Sequence, residues 1–204
     1  MRRTKAEAEQ TREAILNAAI DMFYEVGVSK TTLNGIAEKA GVTRGAIYWH
    51  FKNKLEIFDA LHEKLHRPLA DRIMEDMQSD HPQPLEQLKD LSIKLLCEFQ
   101  TNEQKRKILT IFLTKCEYSG EMAESKARHC NQKKESLGLF TKYFEKAQGM
   151  GAISKQADPE LLCEATHCFM KGIIIEYLDN FESFDMQKKA PALMELLFQS
   201  FRQN

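Results

Sequence analysis

The residues with the most distinctive chemistry lie between Thr43 and Lys54, in the segment TRGAIYWHFKNK. Ile47 and Phe51 are four residues apart, so both can face inward from a short helix and leave the Arg, Tyr, Trp and His residues around them near solvent. An exposed aromatic cluster is unfavourable unless a partner covers it. These residue types suit DNA better than the core of a protein. The segment therefore predicts contact with DNA.

A competing motif follows at positions 62 to 66, where the sequence HEKLH has the HExxH pattern. In zinc hydrolases of this pattern His62 and His66 would bind the metal, and Glu63 would act as the general base. A catalytic zinc site needs a third protein ligand, and none follows at a recognisable spacing. A zinc metallohydrolase is therefore kept only as an alternative, and we expect no catalysis, no cofactor and no metal.

Helices are expected to position these residues, because apolar residues recur every third or fourth position and no useful alternation predicts strands. Glycine and threonine mark the ends of the first helices, and SDHPQP at 79–84 is the clearest linker. The chain is predicted to be all-α with about nine helices. The predicted segments are 15–26, 33–40, 44–51, a long helix from about 54 to 77 that Pro68 should bend, 85–99, 108–115, 122–147, one opening at Asp158-Pro159, and 193–201.

Composition is that of a globular protein, with 43% apolar and 29% charged residues and a formal net charge of −1. Residues 1–54 carry nine Lys or Arg against six acids, a net charge of +3, so the N-terminal part is the one suited to a polyanion. No long apolar run or secretory signal is present, which predicts a cytoplasmic protein without membrane contact. The five cysteines show no metal-like spacing and are expected to be reduced.

Helices 33–40 and 44–51, joined by Gly41-Val42-Thr43, have the layout of a helix-turn-helix whose second helix enters the major groove. The stretch TTLNGIAEKAGVTRGAIYWHFKNK resembles the DNA-binding domain of the TetR family of bacterial transcriptional repressors. VTRGAIYWHFKNK and the later ILTIFLTKCEYSGEM are similar to its AcrR- and MtrR-like branch, which represses multidrug efflux operons.

The resemblance implies a DNA-binding domain at 1–54 and an effector-binding and dimerisation domain at 55–204. It further implies a homodimeric repressor that binds a palindromic operator, controls a multidrug efflux operon and is released by an apolar or amphipathic small molecule. A regulator of metabolic genes is the alternative within the same class.

The resemblance also assigns DNA contacts. Arg44 would read base edges, and Gly45 and Ala46 would allow close approach and touch a thymine methyl group. A basic arm with Arg2, Arg3 and Lys5 would reach the minor groove or the backbone. The expected phosphate contacts are Thr32, Thr43, Tyr48, Trp49, His50 and Lys54. For Tyr48 and Trp49, packing against the first helix remains the alternative.

An effector pocket and a dimer interface are expected in the rest of the chain. His62, His66 and Leu69 share one helix face, and His66 can also titrate near neutral pH. The further pocket candidates are Leu113, Cys116, His129 and His167, while surface exposure is an equal alternative for His62 and His129. Because a terminal helix pair should not bury so much apolar surface alone, the expected dimer interface is Phe169, Ile173, Leu193, Leu197, Phe198 and Phe201.

Overall fold

Helices make up the regular structure of the computed structural model, which describes residues 4–78, 81–116, 118 and 122–202. Over these residues the prediction of an all-α chain with nine α-helices is confirmed. Within the same residues, none of the helices is both long and apolar enough to cross a membrane. The helices are α1 Lys5–Val26, α2 Leu33–Lys39, α3 Arg44–His50, α4 Lys54–Gln78, α5 Pro84–Thr101, α6 Glu103–Thr110, α7 Met122–Gly149, α8 Pro159–Asp179 and α9 Met186–Gln199.

Local sequence signals explain where the helices begin and end. Asp158 caps α8 by accepting hydrogen bonds from two backbone N–H groups, and Pro159 occupies the first turn, where its missing N–H costs nothing. Gly27 follows α1 with a φ of 86°, a conformation that favours glycine. These residues fix helix ends through contacts with neighbouring residues, without tertiary contacts.

The fourth helix continues through Pro68 from Lys54 to Gln78. The predicted bend at this proline stays a prediction. Of the linker predicted at 79–84, Ser79 and Asp80 lie outside the described residues, and α5 already begins at Pro84.

The first of two compact units comprises Met1–Arg67 and Gln104–His129, its masked residues apart. It holds α1 to α3 together with the start of α4, and most of α6 and the start of α7. Its core is built from fully buried side chains, among them Ile15, Phe23, Ile36, Ile47, Phe58, Leu61 and Ile111. The functional boundary predicted after residue 54 stays a prediction.

A π-helical turn, Ile111–Lys115, follows α6 in the first unit. A π turn accommodates one more residue than an α turn, so it shifts which side chains face the core. The backbone N–H of Val28 donates to the carbonyl of Lys115 over 3.3 Å, which ties this turn to the segment after α1.

The second unit comprises Pro68–Glu103 and Cys130–Asn204, again apart from its masked residues. Helix α5 packs along α9 in its core. The six residues predicted for the dimer interface all belong to this core or pack against it. Phe198 has no exposed surface and Ile173 is buried within this unit, and the assignment of the six residues to a dimer interface stays a prediction. Phe169, Leu193, Leu197 and Phe201 are half-buried.

Candidate nucleic-acid interface

The turn between α2 and α3 has a backbone pattern that fixes the end of α2. Gly41 has a φ of 66°, and its N–H donates to the carbonyl of Glu38 over 3.1 Å. The N–H of Val42 donates to the carbonyl of Ala37 over 3.0 Å, which completes a Schellman motif. Because this motif ends a helix sharply, α3 can begin at Arg44 and the two helices form the expected helix-turn-helix.

Helix α3 buries one face and exposes the other. Ile47 has no exposed surface and Phe51 is buried beside it, as their spacing predicted. Trp49 is 72% exposed and Tyr48 is 44% exposed. The alternative that the two aromatic residues pack against α1 is therefore wrong for Trp49, and α3 presents a large indole to solvent within the first unit.

The exposed side chains of α3 contact one another in pairs. The guanidinium carbon of Arg44 lies 5.6 Å from the centre of the Tyr48 ring, a cation–π contact. Trp49 meets His50 edge to face with ring centres 4.5 Å apart. Stacking occupies a face of the guanidinium, while the N–H groups in its plane remain directed outward. Those N–H groups are the ones that read guanine O6 and N7.

Two threonines that were expected to touch phosphates serve as helix caps. Thr32 accepts a hydrogen bond from the N–H of Gly35 over 3.1 Å, and Thr43 accepts one from the N–H of Ala46 over 3.2 Å. Both threonines are exposed. A hydroxyl that accepts from a backbone N–H still has its own hydrogen to donate, so capping is compatible with a phosphate contact.

Gly45 has no role in packing within the chain. A Cβ built on it would come no closer than 4.0 Å, to Thr43 Oγ1. Nothing in the first unit therefore requires glycine here, which fits a need for close approach by an external partner.

The expected basic arm is described only in part. Arg2 and Arg3 lie outside the described residues. Lys5 is the first residue of α1 and is exposed, directly after the capping threonine Thr4.

Three of the expected effector residues come together in the first unit. The rings of His62 and His129 stack with centres 3.6 Å apart and an interplanar angle of 5°. His66 stacks on His62 with centres 4.1 Å apart. His62 and His129 are both buried, so the alternative that they are surface residues is wrong.

The π turn places a different residue against these rings from the one predicted. Leu113 is exposed and Cys116 is half-buried. The ring of Phe112 instead lies 5.2 Å from His62 and 5.5 Å from His129. The π turn directs Phe112 toward the two histidines, and Leu113 as an effector contact stays a prediction.

The remaining expected effector residues, Leu69 and His167, belong to the second unit. Both are half-buried. Burial lowers the pKa of His167 to about 4, and the positive charges of Lys133 and Lys171 add to this effect. At neutral pH His167 is therefore an uncharged donor and acceptor.

The second unit also contains a cavity of about 650 Å³, partly open to solvent. None of the seven expected effector residues lines it. Its lining is strongly polar, with an ion pair between Arg72 and Glu98 at 2.5 Å. The lining residues are Arg72, Asp76, His81, Gln87, Asp90, Leu91, Lys94, Cys97, Glu98, Thr101 and Gln187.

The geometry of the HExxH motif differs from that of a zinc site. Metal ligation uses lone pairs in the ring plane, and the rings of His62 and His66 stack face to face instead of converging on one point. Glu63 pairs with Arg67 over 3.4 Å. Among the described residues, no group of three or more His, Cys, Asp or Glu side chains could hold a metal ion.

Two models of known families match the chain. Residues 15–61 match "Bacterial regulatory proteins, tetR family", and residues 83–203 match "MAATS-type transcriptional repressor, C-terminal region". The second match alone spans more than half of the chain. The chain belongs to the TetR family.

Members of the TetR family resemble the chain over nearly its whole length. The HTH-type transcriptional repressor BepR of Brucella suis is 37% identical over 202 residues, which cover 99% of this chain and 97% of BepR. The crystal structure of NalD, the secondary repressor of the MexAB-OprM multidrug efflux pump in Pseudomonas aeruginosa, is 34% identical with a TM-score of 0.87, covering 98% of this chain and 100% of NalD. SmeT of Stenotrophomonas maltophilia, in complex with triclosan, is 27% identical with a TM-score of 0.84, covering 96% of this chain and 93% of SmeT.

The chain is thus a TetR-family transcriptional repressor that is similar to repressors of multidrug efflux pumps. The members to which it is similar are transcriptional regulators and not enzymes. The helix-turn-helix described above is the element that this family uses to bind DNA.

Lys54 has a structural role that the family pattern did not suggest. Its ammonium group donates to the carbonyl of Ser29 over 3.2 Å and to the carbonyl of Thr31 over 3.1 Å. Both carbonyls belong to the segment that leads into α2. Lys54 therefore joins the start of α4 to the entry of the helix-turn-helix.

Replacement of Lys54 by glutamine tests this joining role. We expect Lys54→Gln to lower the melting temperature and to weaken binding to specific and random duplex DNA alike, because the entry to α2 loses its anchor. The slope of log affinity against log salt should change by less than about half a unit, whereas a lost phosphate contact changes it by about 0.9. Lys52→Gln removes a nearby exposed charge and is the matched control. Flattening of the slope by a full unit with an unchanged melting temperature would instead identify Lys54 as a phosphate contact.

Proposed function

We propose that the protein is a ligand-responsive repressor that binds a palindromic operator as a homodimer and controls a multidrug efflux operon. Two copies would place their α3 helices about 34–36 Å apart, one turn of B-DNA, so that each enters the major groove of one half-site. Binding of an apolar or amphipathic compound would then change this separation and release the DNA.

The observation that carries the DNA-binding part is the uncovered face of α3. Trp49 is 72% exposed and directly follows Tyr48 of the stacked Arg–Tyr pair. Such an exposed indole is unfavourable in a free protein, and it is suited to a phosphate backbone. The face is held rigidly, because Ile47 and Phe51 anchor its other side in the core.

The residues expected at the DNA have the following roles in the proposal. Arg44 reads a guanine, and the methyl group of Ala46 contacts a thymine. Gly45 lets the DNA backbone approach. The proposed phosphate contacts are Thr32, Thr43, Tyr48, Trp49 and His50, together with the positive end of the α3 dipole.

The homodimer is supported by apolar residues that the second unit leaves exposed on α8 and α9. On α8 they are spaced by four and three residues in turn, which puts them on one helix face. On α9, Leu196 is 66% exposed. These residues are Leu161, Ala165, Cys168, Gly172 and Ile175 on α8, and Ala192 and Leu196 on α9.

Control of an efflux operon is supported by the relatives. NalD and SmeT both repress multidrug efflux pumps, and both resemble this chain over more than nine-tenths of its length. An apolar effector is supported by the SmeT complex, since triclosan is an apolar diaryl ether. The polar lining of the 650 Å³ cavity does not suit such a compound.

Titration of operator DNA with and without triclosan, a hydrophobic cation and a hydrophobic anion tests the response to ligand. At least one compound is expected to weaken operator binding by about tenfold or more, within the range of allosteric couplings. His66→Ala should keep operator affinity close to wild type but reduce the response to compound, because His66 is the half-buried, outermost ring of the histidine stack. An undiminished response in His66→Ala would remove His66 from the effector site.

A further inference from the structure

Two helices of the first unit continue into the second. The chain passes from one unit to the other after Arg67, after Glu103 and after His129. The first crossing lies inside α4 and the last inside α7, while the middle one lies at the first residue of α6. Any contact that fixes α4 against α7 within the first unit therefore limits how the parts of these two helices in that unit can move relative to each other.

Such a contact exists, and its centre is a carboxylate that belongs to no sequence motif. Asp59 of α4 accepts hydrogen bonds from three residues of α7. The hydroxyl of Ser125 lies 2.6 Å away, a guanidinium N–H group of Arg128 lies 2.5 Å away, and Nε2 of His129 lies 3.1 Å away. One side chain of α4 thus holds more than one full turn of α7.

His129 strengthens this link through its ring faces. One ring, His62 of α4, lies parallel to it at 3.6 Å, and His62 in turn stacks on His66. Aromatic neighbours enclose the pair, with Phe58 and Phe112 both 5.5 Å from His129. The stack therefore belongs to the packed interior of the first unit.

The link requires a neutral His129. Because a carboxylate only accepts, Nε2 must carry the hydrogen toward Asp59, which leaves the lone pair on Nδ1. Nδ1 is buried and has no hydrogen-bond partner among the described residues. A second proton would add an N–H group there without an acceptor, and it would place a positive ring 3.6 Å from His62.

The charges around His129 act in both directions. Burial lowers the pKa of His129 below its usual range, and the positive charge of Arg128 lowers it further. The negative charge of Asp59 and its hydrogen bond raise the pKa, but they do not cancel the effect of burial. Further along α7, Glu124 lies 3.9 Å from Arg128, and Lys126 lies over the ring of Tyr118 at 5.9 Å. Phe58 of α4 and Phe112 of the π turn contribute only uncharged surface.

The sign of the pH effect follows from the lowered pKa. A separated His129 binds a proton more readily than the stacked one, so the link is fully formed above about pH 6.5 and is lost as the pH falls below it. Below that value the loss grows as the pH falls, with a limit of about tenfold per pH unit for His129.

We propose that Asp59 and His129 are positioning residues that fix α4 against α7, and that acidification breaks this link and weakens operator binding. Helix α4 follows the recognition helix after three residues, so a loosened α4 no longer holds α3 at the separation that two half-sites require. The inference rests on the proposed DNA-binding function and adds proton control to it.

Fluorescence anisotropy of the full-length protein on its footprinted operator duplex, at pH 7.5 and pH 5.5 and constant ionic strength, tests the inference. Wild type is expected to bind more than about twofold and up to about tenfold more weakly at pH 5.5 than at pH 7.5. Charge attraction alone predicts tighter DNA binding at pH 5.5, because protonated histidines add positive charge to the protein. His129→Phe keeps an aromatic ring without a titrating nitrogen, so its affinity should change by less than about twofold between the two pH values.

Asp59→Asn should weaken operator binding about tenfold at pH 7.5, as expected when hydrogen bonds to a charged group are lost. Asp71→Asn, at an exposed carboxylate of the same helix, is the matched control and should bind like wild type. An equal pH response in wild type and His129→Phe would overturn the inference, and so would unchanged binding by Asp59→Asn.

Hydrogen–deuterium exchange distinguishes failure of the inference from failure of the proposed function, because it needs no DNA. After correction for intrinsic exchange, peptides within 54–67 and 122–129 should exchange faster at pH 5.5 than at pH 7.5 in wild type but not in His129→Phe. If this exchange pattern is observed but no specific operator is found, the proposed operator-binding function is refuted and the pH-sensitive link between α4 and α7 is retained. Specific binding without a pH effect on exchange would refute the link alone.

Discussion

Replacement of Leu196 by glutamate is expected to convert the protein from dimer to monomer and to weaken operator binding by about 100-fold or more. Leu196 is 66% exposed on α9, where an apolar side chain this large favours burial by a second copy. A carboxylate at this position would meet its own copy across a two-fold axis and would lose its hydration. A dimer with two linked recognition helices binds its operator at least about 100-fold more tightly than one helix alone, and a monomer loses this additional affinity.

Sedimentation equilibrium and operator titration measure the two effects on the same samples. Met150→Glu is the matched control, because Met150 is also an exposed apolar residue but lies outside α8 and α9. This control should remain dimeric and bind normally. A dimeric Leu196→Glu protein with wild-type operator affinity would show that the interface lies elsewhere.

Arg44→Ala is expected to lose about 1–3 kcal/mol of operator binding and to relax base discrimination at one position in each half-site. Arg44 is the first residue of α3 and stacks on Tyr48, which holds the guanidinium at the exposed face. Arg44→Lys keeps the charge but loses the planar fork, so it should retain the salt dependence and still lose the discrimination.

A panel of operators with each base pair substituted in turn gives the measurement for Arg44. If Arg44→Ala weakens every operator equally and leaves the order of preference unchanged, Arg44 contacts phosphate and another residue reads the bases.

The helix-turn-helix could be predicted from the sequence because its determinants are local. Thr43 caps α3, and Gly41 adopts the positive φ that ends α2. Ile47 and Phe51 are buried as a spacing of four residues requires. Each of these features depends on fewer than eight neighbouring residues, so no tertiary information was needed.

The contacts of the expected effector and dimer residues cannot be read from the sequence, because they join distant segments of the chain. Asp59 carries no motif, and its three partners on α7 follow it by 66 to 70 residues. The contact of Phe112 with His62 and His129 depends on a π turn, which a helical periodicity does not indicate. Periodicity shows that the face of α9 with Phe198 is apolar, but it does not show which of its residues the same chain buries.

DNase I footprinting on the DNA upstream of the gene that encodes this chain tests the central claim most directly. At about 100 nM protein, tenfold above the weak end of specific affinities, we expect one protected region that contains a palindrome with half-sites one helical turn apart. Addition of an effective hydrophobic compound should remove the protection. Absence of any protected palindrome at that concentration, or protection that follows no sequence, would contradict a function as an operator-binding repressor.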